Sequence, residues 1–440
     1  MTQENVYLKP NTVIEPLIDQ WYAWAHLVSP ATAAMNVVGR HLKIMNSFIQ
    51  APMLHKAAVQ NPKMKGGPFM DIPPARVEEV KALREQTVKE RAQQMEFAKA
   101  IHTLNELLLS KGKGFSLEEW YAQVPELLKG YVELVYDLNH QPGFRFFESL
   151  LYQSEHYVES AQSIAMWVTD NDERPFVLST PRLKNDDDVL HFPIPFKHPA
   201  IDRLGQMKHR AFPYREIVEM LEVQPEHEAL FRSFFTTSAP QPYQKYTGDQ
   251  IRMRYFGHAC ILVETKEVSI LIDPLISYYG YQTEIGRFSD VDLPEEIDYV
   301  LITHNHQDHI LFETLLPLRH RVKNLVVPAS TSGSLQDPNL KWMFEQTGFK
   351  NVIEIRELET IQFADCQITG VPFIGEHCDL NIRAKMCHHV QVGAFSMLFA
   401  ADSSNVEPRL YEHVQKIIGD VDLLFLGMEC DGAPLTWLYG

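Results

Sequence analysis

The chain is 440 residues long, with 45% hydrophobic and 22% charged side chains and a formal charge of −17. That length exceeds what one hydrophobic core usually serves, and the composition is that of a folded protein, so two domains are expected. The acidity argues against a general nucleic-acid binder, no apolar run reaches the length of a membrane span, and the stretch from Met1 to Asn5 lacks the basic flank and apolar run of a signal peptide.

Residues 1 to about 170 read as helical. Ile14 to Met53 is rich in Trp, Leu, Met and Ala, with Pro30 and Pro52 as interruptions. Lys63 to Pro68 reads as a loop, and Pro73-Pro74 suits a helix entry. From Ala75 to Ser110, residues including Val80, Leu83, Ile101, Leu104 and Leu108 recur at helical spacing, which predicts one long helix ended by Lys111-Gly112. Ser116-Leu117-Glu118-Glu119 has the pattern of a capping box, and Phe147 to Val168 reads as helix again. The pattern changes at Pro175: Phe176–Ser179 and Val189–Pro193 are predicted strands around the acidic turn Asp186-Asp187-Asp188, and helix returns over Phe212–Phe235. Thr236 to Pro242, small and polar with two prolines, is a linker. The division expected from it is a mainly helical α+β domain over residues 1–240 and a second domain over residues 241–440.

Beyond the linker, strands are predicted at Ile251–Phe256, Cys260–Glu264 and Ser269–Ile272, then at Tyr299–Ile302, Leu325–Pro328 and Val352–Ile355. Further strands follow at Thr360–Phe363, Gln367–Val371, Phe395–Ala400 and Val421–Leu426, with a helix near Leu340–Thr347. Strands alternating with helices after two hairpins fit an α/β fold of the αββα sandwich type. The five cysteines (Cys260, Cys366, Cys378, Cys387 and Cys430) form no C-x-x-C pair and read as reduced thiols of a cytoplasmic protein.

The strand at Tyr299–Ile302 runs into His304-Asn305-His306-Gln307-Asp308-His309. Extended backbone alternates its side chains, so His304 and His306 can point one way while Asp308 and His309 follow in the turn. Four ligand-type side chains in six residues make a poor core and a good metal site. The pattern resembles that of the metallo-β-lactamase superfamily, which uses it to hold two metal ions. That resemblance implies that Asp273, ending the strand Ser269–Ile272, lies behind the ligands and orients one of them. Asp402, after Phe395–Ala400, is then the candidate bridging ligand, and a later ligand comes from Glu376 or its neighbour His377. Hydrolases of the superfamily usually carry histidine there. With Glu376, three carboxylates (Asp308, Glu376, Asp402) would match three imidazoles (His304, His306, His309), a mix suited to di-iron oxygen chemistry rather than to zinc hydrolysis.

Almost the whole chain resembles the di-iron β-hydroxylases associated with nonribosomal peptide synthetases, of the chloramphenicol-pathway type. The resemblance rests on His304 to His309, Gly375-Glu376-His377, Ala401-Asp402, Gly427 to Leu435, and Arg174 to Leu183 in the first domain. It implies a monooxygenase that hydroxylates the β-carbon of an amino acid tethered as a thioester to a carrier domain in antibiotic biosynthesis. It also implies two iron ions, oxo- or carboxylate-bridged, with O2 as co-substrate. His304, His306 and Glu376 would hold one iron, Asp308 and His309 the other, and Asp402 would bridge, with Glu429 near the cluster on a loop responsive to substrate docking. No flavin or iron–sulfur motif is visible, so electrons are expected from a separate reductase. The first domain is expected to mediate dimerisation and carrier docking, with Lys208-His209-Arg210 and Arg203 as a candidate basic face. The superfamily closes the second metal's shell with a later histidine. After Asp402 only His413 follows, within a helical pattern, so that ligand is expected beyond residue 440 and the fold is expected to be incomplete there. The alternative is a di-zinc hydrolase of a thioester, ester or phosphodiester, using His377 and a metal-bound hydroxide.

Overall fold

The computed structural model describes residues 4–112, 114–170, 173–278, 286–375 and 380–427. Two sheets stack face to face in the second half of the chain. The first has six strands in sequence order: Arg252–Gly257, Cys260–Glu264, Ser269–Ile272, Ile297–Leu301, Val322–Pro328 and Val352–Ile355. Its opening strands pair antiparallel, and from Ser269–Ile272 onward the neighbours run parallel. The second has five: Thr360–Phe363, Cys366–Val371, Cys387–Val392, Phe395–Ala401 and Leu423–Leu426.

The two-residue period of extended chain decides what lies between the sheets. Ile261, Val263, Ile270, Ile272, Leu301 and Val326 point inward against Ile368, Val390, Met397 and Phe399. The alternate residues Leu262, Leu271, Val300, Leu325 and Val327 face the other way. They pack with the helices Phe312–Leu318 and Leu340–Gln346, and with Val6, Ile14, Trp24, Phe196 and Leu204 from the first half of the chain, in one continuous core. This is the expected sandwich, preceded by a mixed helical and stranded region that shares its core.

Several local expectations for the first half give way. The seven residues Thr12–Ile18 form a fully buried strand, not the start of a helix, paired along its whole length with Gln162–Val168. That partner also contradicts helix over Phe147–Val168, where helix covers only Glu148–Leu151. Both segments are short apolar runs, and periodicity alone does not separate a buried strand from a buried helix. The long helix is two, Val77–Glu90 and Ala92–Lys111, broken at Arg91, whose guanidinium turns to Asp19 at 2.5 Å. The capping-box pattern at Ser116 opens only a 3-10 turn over Glu118–Gln123, and Val177–Ser179 is likewise a 3-10 turn instead of a strand. Phe212–Phe235 breaks into the helices Tyr214–Met220 and Glu228–Ser233.

One ionic assembly joins the two halves. Glu15, in the buried strand Thr12–Ile18, accepts from Arg182 Nε at 2.8 Å and lies 3.5 Å from Arg174. Arg174 forks onto Glu313 at 2.7 and 3.0 Å, and Tyr278 also donates to Glu313 at 2.7 Å. Glu313 sits in the helix that immediately follows the histidine motif. The family-like stretch beginning at Arg174 therefore pins the first half of the chain to the element carrying the site. Among the described residues no helix is long and apolar enough to cross a membrane.

Candidate metal centre

The strand Ile297–Leu301 sets the first ligands. Beyond it, Ile302 N–H bonds the Val326 carbonyl at 2.9 Å, and Met386 N–H bonds the Thr303 carbonyl at 2.7 Å. The motif thus leaves the first sheet tied to the approach of the second. His309 N–H and Ile310 N–H both return to the His306 carbonyl, at 3.1 and 2.9 Å, closing the turn that brings His309 back beside His304.

Asp273 lies beneath this turn, fully buried, at a left-handed φ of 38°. Its carboxylate accepts from Thr303 N–H at 2.8 Å, from Thr303 Oγ1 at 2.6 Å and from His309 Nδ1 at 2.8 Å. Thr303 spends its one hydroxyl proton on Asp273, so its oxygen accepts from His304 Nδ1 at 3.0 Å. Both imidazoles are therefore held with the Nδ1 proton turned to its acceptor and Nε2 forward, where a bound cation would take the Nε2 lone pair.

Those lone pairs meet a carboxylate. Asp402 Oδ2 stands 3.1 Å from His309 Nε2 and 3.6 Å from His304 Nε2, and His306 Nδ1 stands 3.1 Å from His304 Nε2. Two donors about 2.1 Å from one transition-metal ion stand roughly 3.0–3.4 Å apart, so these spacings suit ligands of a common cation. The ligand atoms of His304, His309 and Asp402 lie within reach of one another, as do those of His258, Asp308 and His309, so Asp402 faces both His304 and His309 and is placed to serve two ions. A positive charge is what these groups are shaped to share: although burial works against an imidazolium at His309, the Asp273 charge and the hydrogen bonds to Asp273 and Asp402 raise it to about 10. Burial brings His306 down to about 4, which keeps it a neutral lone-pair donor. Burial also opposes the charge on Asp308, yet contact with His258 and the charge of His309 hold its carboxyl below the usual range, an effect that solvent screens over its half-exposed side chain.

Asp402 follows the strand Phe395–Ala401, whose last residue has a φ of 44°. The next loop is stitched to the one before Glu376. Ser404 N–H bonds the Ile374 carbonyl at 2.9 Å, Ser403 Oγ accepts from Ile374 N–H at 3.0 Å, and Lys385 Nζ bonds the Gly375 carbonyl at 2.7 Å. Gly427 packs so closely that a Cβ there would meet Asp402 Oδ1 at 2.8 Å.

Of the expected ligands, His304, His306, Asp308, His309 and Asp402 thus come together, and Asp273 stands behind His309. Glu376, His377 and Glu429 lie outside the described residues. His413 is exposed on the helix Arg409–Ile418 and belongs to neither group. The residue that sequence reasoning missed is His258; its one local signal is the Gly257-His258 pair at the hairpin between Arg252–Gly257 and Cys260–Glu264. Three members of the proposed basic face are already matched by acids, Arg210 with Glu295 at 2.5 Å, Arg203 with Glu216 and His209 with Asp290, while Lys208 lies over the Tyr278 ring at 5.3 Å.

Comparison with known proteins agrees with this geometry. Residues 7–240 match the diiron non-heme β-hydroxylase N-terminal domain, and residues 269–432 match a β-lactamase superfamily domain. The chain is 37% identical to the 4-amino-L-phenylalanyl-[CmlP-peptidyl-carrier-protein] 3-hydroxylase of Streptomyces venezuelae, over 98% of this chain and 82% of the relative. The crystal structure of CmlA, a diiron β-hydroxylase from Streptomyces venezuelae, superposes with a TM-score of 0.91 at 36% identity, covering 100% of this chain and 82% of that one. A UPF0173 protein of Pyrococcus abyssi is 31% identical over 127 residues, 29% of this chain and 50% of its own length. A first domain matched as far as residue 240, a lactamase-type sandwich behind it and a relative aligned across both show that the chain belongs to the diiron β-hydroxylase family.

Proposed function

We propose that this chain is an O2-dependent di-iron monooxygenase that hydroxylates the β-carbon of an amino acid held as a thioester on a carrier domain of a nonribosomal peptide synthetase. One observation carries the reading: likeness to a carrier-dependent 3-hydroxylase runs through the first domain as well as the sandwich. Carbon 3 of an amino acid is its β-carbon.

In this reading His304, His306 and Glu376 would hold one iron, Asp308 and His309 would hold the other, and Asp402 would be the carboxylate shared between them. Bound iron supplies the redox chemistry by which O2 is reduced and one of its atoms enters a C–H bond. The chain's own residues do the rest. Asp273 and Thr303 fix the imidazole tautomers, so no reorganisation is needed when the ligands engage. Three carboxylates offset the charge of two cations and favour harder oxidation states. The Phe373 ring packs 5.3 Å from that of His304, setting an apolar face beside the ligands. Lys385 and the serines after Asp402 hold the peptide immediately before Glu376. Glu429 would act beside the cluster, two residues after Gly427. A separate reductase, a homodimeric assembly and a division of the chain at residue 240 complete the proposal; the first-domain match over residues 7–240 supports the division.

Metal analysis tests it. Purified protein is expected to carry two irons per chain with a visible charge-transfer band. Two zincs with thioester or phosphodiester hydrolysis would favour the alternative.

A further inference from the structure

His258 takes no part in the metal set given above, yet its Nε2 lies 3.2 Å from Asp308 Oδ2. Its ring packs edge-on against His309 at 4.8 Å between centroids. The backbone that delivers it is unusual. The register of the first hairpin slips between Tyr255 and Gly257, Gly257 has a φ of 117°, and His258 itself sits at a left-handed φ of 50°. A bulge followed by a non-glycine residue with positive φ is a local cost retained where it aims a side chain. Here it aims an imidazole at Asp308, which among the described candidate ligands is the half-exposed one.

We infer that His258 is a positioning residue for the second metal: its Nε2–H holds one oxygen of Asp308, leaving the other for the ion that Asp308 shares with His309. Asp273 and Thr303 do the equivalent task from beneath, Asp273 for His309 and Thr303 for His304. Asp308 projects from the turn with its side chain half-exposed, and His258 reaches it from the neighbouring hairpin. The assignment depends on the metal-centre reading, and a wild-type titration separates failure of one from failure of the other.

The test is cobalt(II) titration of the metal-stripped full chain, followed by its visible spectrum, for wild type, H258N and H258Q. Asparagine tolerates left-handed backbone well, so H258N removes the imidazole while keeping the bulge, and thermal denaturation checks that it folds. Glutamine returns a donor at greater reach. Wild type is expected to bind two equivalents. H258N is expected to keep the first affinity and weaken the second about tenfold or more, and H258Q to recover most of that loss. Equal second-site affinity in H258N and wild type would overturn the inference. So would saturation of both variants at one equivalent, which would make His258 a ligand instead of a support. A wild type that takes up no cobalt at all would remove the metal-centre reading on which the inference stands.

Discussion

Replacing Asp273 by asparagine is the sharpest test of how the site is set. The carboxylate is fully buried and accepts three hydrogen bonds: from Thr303 N–H at 2.8 Å, Thr303 Oγ1 at 2.6 Å and His309 Nδ1 at 2.8 Å. Asparagine has the same shape but only one accepting oxygen. If that oxygen stays opposite Thr303 N–H, the amide NH2 faces the hydroxyl and the imidazole. The hydroxyl can rotate and accept. His309 must move its proton to Nε2, which takes the lone pair away from Asp402 and the metal. Losing the support of an outer carboxylate usually costs a metal site roughly 10–100-fold in affinity, about 1.4–2.7 kcal/mol. Apart from metal, breaking a buried charge network costs about 3–5 kcal/mol, and an isosteric amide that keeps one bond should fall near the low end. Chemical denaturation of stripped protein and metal titration read the two effects separately. Wild-type metal affinity in D273N would refute the claim that Asp273 sets the His309 tautomer.

Three further outcomes follow from the same structure. Arg174→Ala should destabilise by about 3–5 kcal/mol in urea denaturation, because Glu313 loses its fork, while Arg174→Lys should lie between that and wild type; equal midpoints would show the assembly to be idle. Gly427→Ala should push Asp402 aside, since the new Cβ would lie 2.8 Å from its Oδ1. Both metal equivalents should then weaken in titration, where an outer-support defect would weaken one. Glu148 is buried, which first of all raises it, to about 7 from 4.5, with Asp337 adding to the rise and Asn339 N–H opposing it. The folded chain therefore holds this proton more tightly than the unfolded chain, and stability should fall by about 3 kcal/mol as pH rises from about 4.5 to 7. Glu148→Gln should remove that slope in pH-dependent denaturation; an unchanged slope would assign it to another group.

What the sequence made legible was decided by which signals are local. The sandwich strands are short apolar or β-branched runs bounded by turn residues, and Cys260–Glu264, Ser269–Ile272, Val352–Ile355 and Thr360–Phe363 begin and end as expected. The ligands of the His304–His309 motif sit within six residues, and Asp402 marks its strand end. The strand Cys387–Val392 was not anticipated, since Cys387-His388-His389 does not read as apolar although all three are buried. Thr12–Ile18 misled because a strand buried on both faces loses its alternation. His258 was invisible for a different reason: it joins Asp308 only through the fold, and a lone histidine after a glycine carries no motif.

The most direct test of the central claim is intact mass spectrometry of candidate aminoacyl carrier domains after incubation with the iron-loaded chain, a reductant and O2. The account predicts that one carrier gains the mass of a single oxygen atom while keeping its amino acid in thioester linkage. Release of the amino acid with no oxygen gained would mean that the centre hydrolyses, and would contradict it.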